Sequence, residues 1–235
     1  MIRLNRLIEL IRLNCLKLSQ LNLTQSTQHM SANFNNSAWF YDRLSRLVYG
    51  RSLINARLFL LKFIPPNAKI LIAGGGTGWI LEEITRLQPE GLAISYVEIA
   101  PKMMALSKKR NIGRNTVVYI IAAIEDVPLP ADFDVVITPF LFDNFTQANF
   151  ESIFRHIQDC LKPQGLWLNC DFQFTGRWWQ NFLLKTMFWF FRLVCNIEAS
   201  RLPDIKKQFD LGGYRIVAED TFYLGFITSA VYQRS

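Results

Sequence analysis

The residues best suited to chemistry are a glycine turn, Gly74-Gly75-Gly76-Thr77-Gly78, and the acidic residue Glu98 that follows twenty positions after Gly78. The turn comes directly after the apolar run 70–73 and directly before a helical pattern that begins at position 79. A turn between a parallel strand and a helix directs backbone N–H groups at a ligand, and glycine lets the ligand approach closely. Glu98 ends a second predicted strand, where its carboxylate can accept hydrogen bonds from both ribose hydroxyls of a nucleoside. The alternatives are a tight turn without a ligand and an acidic helix cap.

Two later turns of the chain supply further candidates. Ile124 and Glu125 follow the third predicted strand, where an apolar face and a carboxylate would line a purine. Phe140 follows the fourth predicted strand, where the reactive end of the ligand would lie. Asp143 and Asp171, near the ends of the fourth and fifth strands, are the best placed general bases if the reaction needs one. Helix capping or backbone hydrogen bonding is the alternative for both aspartates.

Apolar strand-like runs alternate with helical patterns through most of the chain, which predicts repeated β-α units. The predicted strands and the helices between them are: strands 69–73, 93–98, 116–122, 134–138 and 166–171; helices 79–87, 101–109 and 147–161. Two last strands, 215–222 and 225–232, are predicted to close the sheet as an antiparallel hairpin. The expected fold is α/β, with a doubly wound, mostly parallel seven-stranded sheet and helices before it.

The first 36 residues are predicted to be an amphipathic helix and a polar linker. Residues 1–20 place basic side chains among regularly spaced leucines and isoleucines, and 19–36 are rich in Gln, Asn, Ser and Thr. This helix could lie on an anionic membrane surface, pack on the domain, or precede a true start at Met30. Residues 37–235 are expected to form one domain.

An aromatic-rich helical insertion is predicted at about 175–211. Its Trp178 and Trp179 are candidate contacts for the acceptor, because a wall of Trp and Phe suits a flat or lipid-like apolar molecule. A core helix or a dimerisation helix is the alternative. Tyr41 and Asp143, outside the insertion, are further candidate contacts for the acceptor. The sequence does not determine the oligomeric state.

Composition excludes several classes of protein. Of the 235 residues, 50% are hydrophobic, which argues against disorder. The net charge of +7 comes from scattered Lys and Arg, so nucleic acid is not the expected partner, whereas peripheral membrane contact stays open.

Four cysteines without CxxC spacing and two histidines predict no metal site, and reduced thiols favour the cytoplasm. His156 falls inside a predicted helix, which favours a structural role.

Taken in order, the segments 70–78, Glu98, 125–130 and 133–136 resemble the successive motifs of class I S-adenosylmethionine-dependent methyltransferases, most closely the ubiquinone/menaquinone-type enzymes that act on small molecules. The resemblance covers about residues 39–171 and the closing hairpin, and implies a Rossmann-like methyltransferase fold with S-adenosylmethionine as cofactor. It implies cofactor-binding roles for these residues: the methionine part beside Gly74, Gly75, Gly76 and Gly78; the ribose at Glu98; the adenine beside Ile99, Ile124 and Glu125; the sulfonium near Phe140.

Two positions depart from the family pattern. Ile72 stands where the family usually has an acid, and Ala123 stands where it often has an aspartate that bonds the adenine amino group. Glu125 or Asp126 could substitute at the adenine, and Tyr41 could meet the cofactor carboxylate.

The predicted function is transfer of a methyl group to a small apolar or aromatic acceptor. The main alternative is a non-catalytic protein that binds the cofactor, since two acids are missing and no base is evident. A dinucleotide enzyme is disfavoured, because the glycine turn lacks G-x-G-x-x-G spacing in its proper place. Nucleic-acid modification is disfavoured, because no Asn-Pro-Pro-aromatic tetrad follows strand four.

Overall fold

A computed structural model describes residues 48–195 and 199–234. Seven strands of this part of the chain form one sheet, in the order β3-β2-β1-β4-β5-β7-β6. The strands are β1 (Lys69–Ala73), β2 (Glu90–Val97), β3 (Arg114–Ile120), β4 (Phe133–Pro139), β5 (Leu161–Phe172), β6 (Tyr214–Phe222) and β7 (Ile227–Arg234). The helices are α1 (Ser52–Leu61), α2 (Trp79–Leu87), α3 (Pro101–Ser107), α4 (Gln147–Gln158), α5 (Trp178–Cys195) and α6 (Ile205–Leu211).

The first five strands pair in parallel, whereas β7 lies antiparallel to both β5 and β6. This arrangement confirms the predicted doubly wound sheet with its antiparallel closing hairpin. The order of strands changes direction between β1 and β4, so the loops after these two strands diverge and leave a crevice at their carboxyl ends. Ligands of open α/β sheets bind at such a point.

The predicted starts of two strands were wrong by several residues. β2 begins at Glu90 and β5 at Leu161, each through an irregular segment in which the pairing register shifts. Gly91 and Gln164, both with positive φ, lie in these segments. These segments contain glycine, proline and polar residues that are typical of a loop, yet their backbones still pair with the neighbouring strands. The sequence pattern therefore placed the start of each strand too late.

Both faces of the sheet are buried, and alternate residues of β1 show it. Ile70 and Ile72 belong to one apolar core, Leu71 and Ala73 to another. Helices α1, α2 and α5 contribute to the first core, and α4 and α6 to the second. The second contains a cluster of packed rings: Phe150, Phe154, Trp167, Phe209, Tyr214 and Tyr232.

Helix α1 is fixed to the far side of the sheet. The hydroxyl of Ser229 on β7 donates a hydrogen bond to the carbonyl of Ala56, at 2.9 Å. Ala56 and Leu60 are fully buried on this side of the helix. The hydrogen bond and this packing therefore also fix the position of the next residue, Arg57.

Candidate functional site

The glycine turn after β1 has the backbone geometry that the sequence predicts. Gly74, Gly76 and Gly78 have φ of 71°, 65° and 77°, a region that favours glycine. The N–H of Gly74 donates to the carbonyl of Val97, at 3.0 Å, which ties the turn to the end of β2. A Cβ added to Gly76 would meet no atom within 4 Å, so this glycine borders open space. The turn has room for a ligand on the side of Gly76.

Glu98 lies directly after β2 and is 5% exposed. One carboxylate oxygen accepts a hydrogen bond from the N–H of Gly76, and the other accepts one from the N–H of Ala100, both at 2.8 Å. Burial raises the pKa of Glu98, and these backbone hydrogen bonds oppose the rise. Each carboxylate oxygen has a second lone pair, so both can accept further hydrogen bonds. Glu98 thus braces the glycine turn and still has acceptor capacity for a ligand.

Tyr96 is a supporting residue that the sequence analysis did not identify. Its hydroxyl donates to the carbonyl of Gly76, at 3.0 Å, and the side chain is fully buried. A Cβ on Gly75 would lie 2.1 Å from the Tyr96 ring, so the ring fills the space that a side chain would need. The signal in the sequence was weak, because a tyrosine two residues before the acid looks like any residue of a buried strand.

The loop after β4 lies beside the glycine turn. A Cβ on Gly74 would lie 2.9 Å from Cδ1 of Leu141, which shows how close the two loops are. Phe140 has φ of 56°, an uncommon conformation for a residue with a side chain, and its N–H donates to the carbonyl of Cys170, at 2.8 Å. Strain of this kind costs about 1–3 kcal/mol and is concentrated at functional sites.

Arg57 of α1 supplies a cation to this site, and the sequence analysis missed it. Its guanidinium carbon lies 5.1 Å from the centre of the Phe140 ring and 6.0 Å from that of Trp79, the first residue of α2. The Nε atom of Arg57 is buried and has no hydrogen-bond partner in the part of the chain that the structure describes. A buried donor without an acceptor is unfavourable, so the position is suited to an anionic group of a ligand. No local sequence signal marks Arg57, because only the packing of α1 on β7 brings it here.

Asp143 and Asp171 form a pair of interacting buried acids behind Phe140. Asp171 accepts hydrogen bonds from the N–H groups of Phe142 and Phe172, at 3.0 and 2.9 Å. Asp143 accepts one from the side-chain amide of Asn144, at 2.8 Å. Burial raises the pKa of Asp171 to about 7. Burial and then the charge of Asp171 raise the pKa of Asp143 well above its ordinary value. Asp171 serves backbone hydrogen bonding, the alternative that the sequence left open.

The predicted adenine contacts follow β2 and β3 at the same edge of the sheet. Ile99 is half-buried, Ile124 is 5% exposed, and Glu125 is exposed. Ile124 begins a short 3-10 turn, Ile124–Asp126, whose preceding residue Ala123 is extended. His156 of α4 donates from its ring Nε2 to the carbonyl of Val127, at 3.0 Å, which is the predicted structural role.

The predicted acceptor contacts are separated by the structure. Trp178 is 83% exposed on the outer side of α5, whereas Trp179 packs on Tyr223 and Phe226, with ring centres 6.0 and 5.7 Å apart. Tyr41 lies outside the described residues. For Trp178, Trp179, Tyr41 and Asp143, a role in acceptor binding stays a prediction.

Comparisons with known proteins agree with this geometry. Residues 70–165 match the model of a family described as a methyltransferase domain. The chain is 28% identical over 133 residues to malonyl-[acyl-carrier protein] O-methyltransferase of Bacillus cereus. This match covers 54% of this chain and 48% of that protein. The chain is 32% identical over 147 residues to the ubiquinone/menaquinone biosynthesis C-methyltransferase UbiE of Wigglesworthia glossinidia brevipalpis, covering 59% of this chain and 57% of that protein.

A solved structure has the same fold. The magnesium protoporphyrin IX methyltransferase ChlM of Synechocystis PCC 6803, with bound S-adenosylhomocysteine, matches with a TM-score of 0.59 at 15% identity. The match covers 86% of this chain and 96% of that chain.

The family match over residues 70–165 and the fold confirm the resemblance to class I S-adenosylmethionine-dependent methyltransferases. S-adenosylmethionine is the cofactor of this class. The chain spans about half the length of the curated relatives it matches. Across 48–195 and 199–234, the helices lack the combination of length and apolarity that crossing a membrane requires.

Proposed function

We propose that this protein transfers a methyl group from S-adenosylmethionine to a small apolar or aromatic acceptor. The observation that carries the proposal is the convergence of three groups at the carboxyl edge of β1 and β4: the open glycine turn, buried Glu98, and the guanidinium of Arg57, whose buried Nε has no hydrogen-bond partner among the described residues. They match the chemistry of a nucleoside that carries an amino-acid arm. An acceptor of this kind is consistent with the name of one relative, which refers to ubiquinone/menaquinone biosynthesis, whereas the name of the other refers to malonyl-[acyl-carrier protein].

The residues that would hold the cofactor divide by the part of the molecule they meet. Glu98 offers acceptors to the ribose hydroxyls, and Ile99, Ile124 and Glu125 lie where the adenine would be. The glycine turn, from Gly74 through Gly75 and Gly76 to Gly78, would approach the methionine part. This set is the one the sequence predicts, and its support is position at one edge of the sheet.

Arg57 is our addition to this set, as the partner of the methionine carboxylate. It would take the place that the sequence analysis gave to Tyr41. A carboxylate at Arg57 satisfies the buried Nε donor and neutralises a positive charge. Neutralising that charge matters because Phe140, over which Arg57 lies, is the residue proposed to border the sulfonium.

When bound, S-adenosylmethionine supplies a methyl group on a positively charged sulfur, with a neutral thioether as leaving group. The contribution of the protein is therefore alignment of the acceptor and exclusion of water, rather than stabilisation of a charged leaving group. Phe140, 8% exposed, packs on the buried ring of Phe172, which in turn packs on Phe226, so the carboxyl ends of β4 and β5 are apolar beside the site. Apolar surroundings of this kind suit an apolar acceptor. Asp143 is the acid nearest to this loop in sequence, and we propose it as an acceptor contact.

The division of the chain supports one catalytic unit. We propose that residues 37–235 form a single methyltransferase domain preceded by the 1–36 segment. Helices α5 and α6 of the 175–211 insertion lie between β5 and β6 and contribute buried residues to the same two cores as the sheet.

Two measurements test the proposed function. Titration calorimetry with S-adenosylmethionine, S-adenosylhomocysteine and NAD should give binding of the first two and none of NAD. Methyl transfer is then measured with a labelled methyl donor against acyl thioesters, hydroquinones and flat heteroaromatic compounds. Turnover with one class assigns the acceptor. Tight cofactor binding without turnover on any class, or in a metabolite extract, would leave the non-catalytic alternative as the better description.

A further inference from the structure

Helix α5 presents an outer face that is both aromatic and basic. Trp178, Phe182 and Trp189 are 83%, 45% and 52% exposed, and Lys185 and Arg192 are exposed as well. At 3.6 residues per turn, these five positions fall within an arc of about 80° around the helix axis. The face runs for about 20 Å, from the rise of about 1.5 Å per residue.

The opposite side of α5 is part of the protein core. Leu184, Met187, Phe188 and Phe190 are each 5–8% exposed. The hydroxyl of Tyr49 donates to the Met187 sulfur, at 3.8 Å. Because the inner side of α5 is packed in the core, the helix is held in a fixed orientation. The aromatic side chains of its outer face therefore point away from the core.

Apolar exposure continues beyond the first turn of α5. Phe174 is 54% exposed, and Leu224, at the tip of the β6–β7 hairpin, is 73% exposed. The guanidinium of Arg177 donates to the carbonyl of Leu224, at 3.2 Å, which joins the hairpin tip to the start of α5. We call the following residues the α5 surface: Phe174, Arg177, Trp178, Phe182, Lys185, Trp189, Arg192 and Leu224.

The charge of the α5 surface has one sign. Between positions 173 and 195 the sequence contains three cations, Arg177, Lys185 and Arg192, and no acidic residue. Exposed aromatic side chains, tryptophan above all, are typical of surfaces at the membrane–water interface, and the long side chains of Lys and Arg beside them can reach the lipid headgroups. Anionic lipid headgroups attract such cations, by about fivefold in affinity for each one near the surface.

We propose that the α5 surface binds the protein peripherally to an anionic phospholipid membrane. The aromatic side chains would enter the headgroup region while the three cations contact lipid phosphates. A second copy of the chain is a poorer occupant, because a symmetric contact would bring the same cations of two copies together. This surface is independent of the cofactor site, so the inference does not depend on methyl transfer.

The test is flotation of the full chain with vesicles of phosphatidylcholine alone and of phosphatidylcholine with about 30% phosphatidylglycerol. The wild type should bind the anionic vesicles, lose binding as salt is raised, and show a blue shift of tryptophan emission. The double variant Phe182→Ser/Trp189→Ser should reduce partitioning by about tenfold or more. Lys185→Glu/Arg192→Glu should reduce it by a comparable factor on anionic vesicles only. The affinity for S-adenosylhomocysteine and the melting temperature of these variants should stay near the wild-type values.

Leu211→Ser is the matched control, because Leu211 is 72% exposed but lies on α6 outside the α5 surface. It should bind vesicles as the wild type does. Three results would overturn the proposal. The first is no binding to anionic vesicles. The second is binding that the α5 variants leave unchanged but Arg3→Glu/Arg6→Glu abolishes, which would assign it to the N-terminal segment. The third is self-association, lost in Phe182→Ser/Trp189→Ser, in place of vesicle binding.

Discussion

Replacing Arg57 by methionine tests the most specific feature of the proposed cofactor site. The buried Nε of Arg57 has no hydrogen-bond partner within residues 48–195 and 199–234, and its guanidinium lies over two aromatic rings. Methionine keeps a long apolar side chain and removes only the charge and the donors. The variant therefore separates recognition of an anion from packing of α1.

The expected magnitudes differ for binding and for stability. A hydrogen bond to a charged group contributes about 1.5–3 kcal/mol, so Arg57→Met should weaken binding of S-adenosylmethionine by about 10- to 150-fold. In the absence of cofactor two effects oppose each other. Loss of the ring contacts costs about 0.5–2 kcal/mol, whereas removal of an unpaired buried donor returns about 1–3 kcal/mol. The net change in the free energy of unfolding should therefore lie between a loss of about 1 kcal/mol and a gain of about 2.5 kcal/mol.

The assay compares two ligands by titration calorimetry. S-adenosylhomocysteine carries the amino-acid carboxylate, and 5′-methylthioadenosine has the same nucleoside without it. Arg57→Met should weaken only the first. Arg51→Met is the matched control, because Arg51 is exposed at the start of the same helix and should leave both affinities unchanged.

Two outcomes would refute the reasoning about Arg57. If both ligands lose affinity equally, Arg57 supports the fold of the site and does not recognise the carboxylate. If neither loses affinity, another group, such as Tyr41 of the N-terminal segment, is the partner.

Three further predictions concern the turn and the acids around it. Glu98→Gln replaces one acceptor by a donor that faces a backbone N–H, so it should cost about 1–3 kcal/mol of stability and weaken adenosine binding, as measured by denaturation and calorimetry. Gly75→Ala should lower the melting temperature more than Gly76→Ala, because only the methyl group at position 75 meets the Tyr96 ring. Gly76→Ala should lose more cofactor affinity, because its methyl group enters the open side of the turn. Equal effects of the two substitutions would contradict this geometry. The free energy of unfolding of the Asp143→Asn variant, relative to that of the wild type, should increase as pH rises from about 4 to about 7. The pKa values of both carboxyls are raised, so both acids favour the fold when protonated, and this stability is lost as pH rises towards about 7, the pKa of Asp171 in the folded protein. A difference between the two denaturation curves that does not vary with pH would contradict the interaction of Asp143 with Asp171.

Much of the site was predictable because its residues lie at fixed places relative to a strand end. The glycine turn follows a strand of four buried residues, and Glu98 follows the next strand by sequence. Parallel pairing of β1 with β2 then brings them together without further information, since Ala73 pairs with Val97 and the residues that follow are neighbours. Local pattern and the rule for parallel sheets were sufficient.

The supporting residues were not predictable in the same way. Tyr96 looked like an ordinary strand residue. Its role depends on contact between β2, which carries Tyr96, and the turn after β1, where Gly75 has no Cβ to fill the space of the ring. Trp178 and Trp179 are adjacent in sequence and carry the same side chain, yet one is exposed and one is packed, because a helix rotates by about 100° per residue.

By itself, the sequence determined the succession of strands and helices along the chain and the glycine turn with the acid that follows the next strand, and its resemblance to a known family implied the cofactor. These depend on short-range pattern: alternation of apolar residues, glycines at a strand end, and a fixed number of positions to the next strand. Only the tertiary structure decided that Arg57 reaches the site, since α1 is placed by its packing on β7, which lies more than 160 residues later in the chain. It also decided which side of α5 faces outward, because the core selects the buried half of a helix that is apolar on nearly every side.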